Sequence, residues 1–343
     1  MKRVIIILIL AAVSLAACSE EPEASGKNKI KVFSYWLIPT VNPMEMRSLS
    51  FFDGVILSHG NLWNNPTTIM GIKTNKYIYV NPWEIHDPPY PDQRLDKMVY
   101  TETMIRRPEY FLNTTKKGPI VFWPGMRVLN LSTNCPFVDG KRCWEYLADL
   151  YINEIIYHPA FVEMAGLYID NPTRTVDWLK GHNGKNLTID SDNDGQDDDR
   201  YLLNEAWSAG MCAFLEKIKA TMGSKKLIGN TADLEMVQYF DLIFLENFPE
   251  QQGGLENAIA ILQTKPAIIH VEAKDSELGA ACAMLYDCYL AVGQQGKYQA
   301  AFDLDLGRPK GPATREGDIV TRYYKGGKIS LDIQTKKTEI SRK

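Results

Sequence analysis

Residues 166–171, Gly-Leu-Tyr-Ile-Asp-Asn, and residues 242–248, Leu-Ile-Phe-Leu-Glu-Asn-Phe, are two short apolar runs that each end abruptly in a carboxylate followed by Asn. A run without polar alternation is what a strand buried on both faces requires, as in a parallel sheet. An acid at the C-terminal tip of such a strand lies where β/α barrels gather their catalytic groups. Two carboxylates presented in this way are the minimum equipment for hydrolysing a glycosidic bond. A single acid of this kind would serve equally well as a cap for the loop that follows. A pair on one architecture points to chemistry.

Working outward, further apolar runs fall at residues 30–36, 54–58, 77–81, 165–170, 227–230, 242–246, 267–272 and 299–303. Helical patterns lie between them. Leu203, Trp207, Gly210, Met211, Phe214 and Ile218 recur at i, i+3/4 spacing, as do Leu278, Cys282, Leu285, Tyr289 and Val292. A third stripe, Trp144, Leu147, Leu150, Ile155 and Ile156, stops at His158-Pro159. Such stripes are amphipathic helices facing a core. Alternation of strands and helices implies parallel βαβ units, and eight strands predict an α/β fold, a closed (β/α)8 TIM barrel. Residues 118–131, with Pro124-Gly125 at their centre, break the alternation and are assigned to a hairpin excursion after the third strand, the competing assignment being a barrel strand that displaces the last one. Residues 319–333 carry a Gly-Gly turn between two alternating runs, a β-hairpin forming a small C-terminal β appendage.

On this assignment Asp170 ends the fourth strand and Glu246 the sixth, so both point into one pocket. One acid must hold a proton while the other stays ionised. The apolar Phe248-Pro249 neighbourhood favours Glu246 as the acid, leaving Asp170 as nucleophile or base. Other strand ends are decorated by Trp36, His59, Asn81, Trp83, Glu84, Asn171, Asn230, Glu272 and Asp303. Sugars offer hydroxyls to Asn and Asp, and flat C–H faces to indole. Trp36, Trp83 and Trp123 are therefore the stacking candidates, with core packing the competing role for each. Glu272 competes with the pair for a catalytic role, unless Lys274 neutralises it.

The segment 190–198, Asp-Ser-Asp-Asn-Asp-Gly-Gln-Asp-Asp, matches the start of an EF-hand-type calcium loop. Asp190, Asp192 and Asp194 take positions 1, 3 and 5. Gly195 takes position 6, the Gln196 carbonyl position 7 and Asp198 position 9. Position 12 is Tyr201 rather than Glu, with Asp199 as a substitute carboxylate. A structural Ca2+ is expected here, and no organic cofactor. Of six cysteines, Cys135 and Cys143 bracket a short loop and are expected to form a disulfide in an exported protein. Cys212, Cys282 and Cys288 fall within helical patterns and suit buried apolar positions. No spacing suggests zinc.

The N-terminus sets the compartment. Met1-Lys2-Arg3 precedes a short apolar run, and Leu15-Ala16-Ala17-Cys18 follows. This is a secretory signal, too short for a membrane span. Its ending resembles the bacterial lipoprotein lipobox, which implies cleavage before Cys18 and lipidation of its thiol. Ser19 in place of Asp favours the outer membrane of the cell envelope. The expected organisation is a signal peptide at 1–17, a flexible tether at 18–29, the barrel at 30–308 and the appendage at 309–343. Loss of Lys2 and Arg3 takes the formal charge from −4 to −6. That acidity argues against a nucleic-acid partner.

Taken in order, GLYIDN, the DSDNDGQDDD loop, NEAWSAGMCAFLEKIKATMG, LIGN, FLENF and LGRPKGPATREGDIVTRYYKGGKISLDI resemble a group of glycoside hydrolases. That group is related to the endo-α-1,4-polygalactosaminidase family and, more distantly, to retaining α-glycosidase barrels. The resemblance covers most of the chain after the leader. It implies a (β/α)8 barrel with a C-terminal β appendage, and Asp170 and Glu246 as the catalytic pair. Lys325-Gly326-Gly327-Lys328 stands where the pattern favours Asn-Gly, which touches the appendage and not the site. Two functions fit: a surface-anchored glycosidase acting on an oligo- or polysaccharide, or a glycan-binding lipoprotein that kept the barrel without turnover. No nucleophile–His–Asp order, P-loop or dinucleotide motif offers a rival chemistry.

Overall fold

The computed structural model describes residues 30–36, 49, 52–91, 93–116, 118–179, 187–292 and 304–343. Cys18 and Asp303 lie outside the described residues, as does the side chain of Trp36. In chain order the strands are β1 (Lys31–Trp36), β2 (Gly54–Ser58), β3 (Asn75–Val80), β4 (Glu84–His86), β5 (Met126–Val128), β6 (Gly166–Ile169) and β7 (Lys226–Asn230). They continue with β8 (Leu242–Leu245), β9 (Ala267–His270), β10 (Tyr289–Val292), β11 (Thr314–Glu316), β12 (Ile319–Tyr324), β13 (Gly327–Asp332) and β14 (Thr338–Arg342). Eight of them close a parallel barrel in the order β1-β10-β9-β8-β7-β6-β3-β2. This is the TIM-barrel architecture expected from the alternating runs.

Two layers of core hold the barrel. Its interior is filled by alternate strand residues, among them Phe33, Ile56, Tyr77, Tyr168, Phe244 and Ile268. The opposite strand faces pack against helices, the longest being Arg200–Thr221. Two glycines are dictated by close approach. A Cβ on Gly166 would lie 1.7 Å from the Lys226 carbonyl oxygen, and one on Gly210 would lie 1.7 Å from that of Leu131. The first allows β6 to start against β7. The second lets helix Arg200–Thr221 press onto the excursion. Among the described residues no helix is long and apolar enough to cross a membrane.

The excursion after β3 pairs β4 with β5 antiparallel, with a further bridge between Val121 and Arg127. The C-terminal residues form an antiparallel sheet, β11-β12-β13-β14. It docks on helix Ser276–Tyr286 through buried Arg322, which donates to the carbonyls of Met284 (2.8 Å) and Leu285 (3.3 Å) and to Asp287 (2.8 Å). The two carbonyls are orphan acceptors of a helix end.

Three expectations are corrected. The eighth barrel strand is Tyr289–Val292, whereas the stretch 299–303 lies outside the described residues. The helical stripe assigned to 278–292 stops at Tyr286, where Asp287 takes the left-handed conformation (φ 56°). The Cys135–Cys143 disulfide is also corrected, because both thiols are free and buried. The Cys135 sulfur accepts the Cys143 backbone N–H, and the Cys143 sulfur that of Asn130. Burial pushes the Cys135 thiol up to about 12. The loop between them is already closed by the Val138–Lys141 bridge and by Arg142 Nε donating to the Cys135 carbonyl (3.2 Å).

Candidate active site

Side chains of a strand alternate between faces, so the interior set continues upward by steps of two. Tyr77 leads to Tyr79, Tyr168 to Asp170, Ile228 to Asn230, Phe244 to Glu246 and Ile268 to His270. The apolar floor thus gives way to a polar layer at the C-terminal mouth of the barrel. Both carboxylate tips are built alike. Asn171 and Asn247 follow the acids with φ of 45° and 46°, the left-handed region that Asn tolerates better than most residues. The chain turns sharply after each acid, leaving the carboxylate at the rim.

Asp170 and Glu246 share one donor. Asn230 Nδ2 donates to Asp170 Oδ1 (2.8 Å) and to Glu246 Oε2 (2.9 Å). Two oxygens bonded to one nitrogen cannot be further apart than two hydrogen-bond lengths, about 6 Å. The other Asp170 oxygen accepts from Tyr79 Oη at 2.7 Å. Burial raises Asp170, while Asn230 and Tyr79 oppose that shift and the nearby Glu246 adds to it. Tyr79 is raised well above its ordinary value by burial and by the charge of Asp170, so it stays protonated and donates. Tyr35, also raised by burial and then by Asp170 and Glu246, packs against Tyr168 and Phe244. Burial lowers His270, and its ring stacks on Phe244 at 5.9 Å.

Two cavities flank this group. The larger, about 560 Å³, is lined by Tyr79, His59, Asn81, Glu84, His86 and Asp96, among others. The smaller, about 260 Å³, is lined by Asn171, Arg174, Asn230, Asp233 and Gln252, among others. Asp170 and Glu246 line neither wall directly. Tyr79, bonded to Asp170, lines the first, and Asn230, bonded to both acids, lines the second.

Of the other residues singled out by the sequence, His59 is buried with Nε2 3.0 Å from Asp96 Oδ1. Asn81 donates to Glu84 Oε2 (2.7 Å). Trp83 is 2% exposed and packs on Trp178 and Phe122, so it offers no stacking face. Its indole N–H instead donates to the Asn171 carbonyl (2.7 Å) and holds the turn after Asp170. Trp123 is 59% exposed, on the excursion, and lines neither cavity. Glu272 is exposed and paired with Lys274 at 3.1 Å.

Glu84 is the residue the sequence undervalued. Its pKa is raised to about 7 by burial and by Asp170, against the bond from Asn81, and its Oε1 is buried without a partner. A carboxyl raised above its unfolded value stabilises the fold when protonated, and that stability is lost as pH rises through about 7. The stability difference between wild type and Glu84→Gln should therefore shift by about 1–3 kcal/mol in favour of the variant from pH 5 to pH 8. Denaturant unfolding of both proteins at the two pH values measures it. Parallel pH profiles would refute the assignment.

A family model described as hypothetical glycosyl hydrolase family 15 matches residues 77–328, well over half of the chain. The protein belongs to that family. Among solved structures, a variant of the GH36 α-galactosidase AgaA from Geobacillus stearothermophilus, in complex with raffinose, is similar with a TM-score of 0.53. Its identity is 8%, and the match covers 88% of this chain and 47% of that one. The glycoside hydrolase domain of PelA from Pseudomonas aeruginosa matches at TM-score 0.48 and 14% identity, over 81% of this chain and 98% of that one. At these identities the α-galactosidase match speaks for the barrel fold alone. No curated protein matches the chain.

Proposed function

We propose that this member of a glycoside hydrolase family cleaves a glycosidic bond by double displacement, with Asp170 as nucleophile and Glu246 as acid/base. The observation that carries this reading is the single Asn230 amide donating to both carboxylates. It keeps Asp170 Oδ1 and Glu246 Oε2 within about 6 Å of each other, which favours the close carboxyl pair of retaining enzymes over the wider gap that admits a water in inverting ones. Asp170, fixed by two donors, is held as an acceptor. That state allows one of its oxygens to form a bond to the anomeric carbon as the glycosidic C–O bond breaks. Glu246 gives its proton to the departing oxygen. It then takes one from the water that attacks the same carbon, releasing Asp170. Cavities beside Tyr79 and beside Asn230, the two hydrogen-bond partners of the pair, offer room for more than one sugar unit, so the proposed substrate is an oligo- or polysaccharide.

The test is incubation of the purified protein with a panel of soluble glycans, with the product anomer followed by NMR from the first minutes. Release of the sugar in the substrate's own anomeric configuration is expected. Release of the opposite anomer would overturn double displacement, and glycans that bind without being cut would overturn hydrolysis itself.

A further inference from the structure

The acidic segment 190–198 plays no part in the chemistry above. Its ends are tied down. Asp190 N–H donates to the Asn113 carbonyl (2.9 Å) and Asp198 N–H to that of Ile189 (2.7 Å). The Ser191 carbonyl accepts from buried Asn130 at 2.6 Å. Gly195, with φ 90°, makes the sharp turn at position 6. Carboxylate oxygens of Asp190, Asp192 and Asp194 come within 4.8 Å of one another.

An acidic cluster alone proves little, and Asp190 supplies the second observation. The residue is 1% exposed. Its Oδ2 accepts the Gly195 N–H (2.9 Å), while its Oδ1 is buried and receives no hydrogen bond. An unpartnered buried carboxylate oxygen is unfavourable unless a cation or donor meets it. We propose that Asp190, Asp192, Asp194 and the Gln196 carbonyl bind one calcium ion. The donors are all oxygen, which selects a hard cation over zinc or copper. The shell is open enough for the flexible coordination of calcium rather than the rigid octahedron of magnesium. Asp199, the substitute for the absent position-12 Glu, is already engaged. It caps helix Arg200–Thr221 by accepting from the N–H groups of Tyr201 and Leu202, both at 3.0 Å. Water therefore completes the shell, and the affinity is that of a weak module.

The site reaches the barrel mouth through that same helix. Trp207 donates to the Thr173 carbonyl (3.0 Å), and Asn204 accepts from Val176 N–H (2.9 Å). Both contacts hold the loop after Asp170. The calcium site does not depend on the glycosidase reading and can be tested without any substrate.

The experiment is calorimetric titration of the chelator-stripped full-chain protein with CaCl2 and separately MgCl2, with thermal melts alongside. One calcium per chain is expected, with a Kd of about 10⁻⁵–10⁻³ M. A melting temperature raised by a few degrees is expected at about ten times that Kd. Magnesium should bind at least about tenfold more weakly. Asp192 and Asp194 are exposed, so the Asp192→Asn, Asp194→Asn double variant should fold like the wild type, as circular dichroism would show, and lose the calcium response. Absence of both heat and melting shift, equal binding of magnesium, or undiminished calcium binding by the double variant would each overturn the proposal.

Discussion

Asp170→Asn and Glu246→Gln should each lower turnover of a cleavable glycan by at least about 10³-fold while leaving the folded protein intact. Both substitutions keep shape and remove ionisation. Asp170 is held by Tyr79 and Asn230. An amide there can still accept from one of them, but it cannot form a stable ester with the anomeric carbon. The two variants should then part company on an aryl glycoside with an acidic phenol. That leaving group departs without a proton, so Glu246→Gln should form the glycosyl-enzyme and stall, because no base deprotonates water. Azide needs no base and should restore its turnover, giving the glycosyl azide of retained configuration. Asp170→Asn should gain from azide only through attack on the face the nucleophile vacated, giving the opposite anomer. Product analysis by NMR separates these outcomes. More than about a tenth of wild-type activity in Asp170→Asn would remove it as nucleophile.

The convergence of Asp170 and Glu246 on one rim is legible in the sequence because Leu242, Phe244 and Glu246, like Tyr168 and Asp170, stand two positions apart within runs of unbroken hydrophobicity. The same step of two, applied to Tyr77–Tyr79 and Ile268–His270, points to Tyr79 and His270 as residues of the mouth. The eighth strand was hidden for a physical reason. Tyr289 and Val292 continue the i, i+3/4 stripe of the preceding helix, and a four-residue strand has too few positions to show its own period. Only Asp287, in the left-handed conformation, and Cys288 separate helix from strand, and an Asp within an apolar stripe is too common to mark that turn by itself. Trp83 shows a different limit. Its indole faces a core built by Phe122 and Trp178, partners 39 and 95 residues away that only the folded chain brings together. Export and spacing suggest a bridge between Cys135 and Cys143, whereas each sulfur takes a backbone N–H instead.

Asn230 is the residue whose loss should damage the site most without touching either reacting group. It is 8% exposed, and its one amide nitrogen serves both carboxylates. Its contribution is electrostatic as well as geometric, since its bond pulls Asp170 down against burial and against Glu246. Asn230→Asp keeps the shape but replaces the shared donor with a third acid. Asn230→Ala removes the donor and opens space. If Asn230 only fills volume, the isosteric Asp variant should be nearly normal and the Ala variant impaired. As a positioning donor, both should lose about 10²–10³-fold in kcat, the Asp variant more, with KM changed little. The pH profile gives the sign. Without the donor, Asp170 ionises at higher pH, so the acidic limb of kcat/KM, which requires the ionised nucleophile, should move upward in Asn230→Ala. An unmoved acidic limb, or an Asp variant with near-normal kcat, would reduce Asn230 to a packing residue and leave the spacing of the two acids to the strands alone.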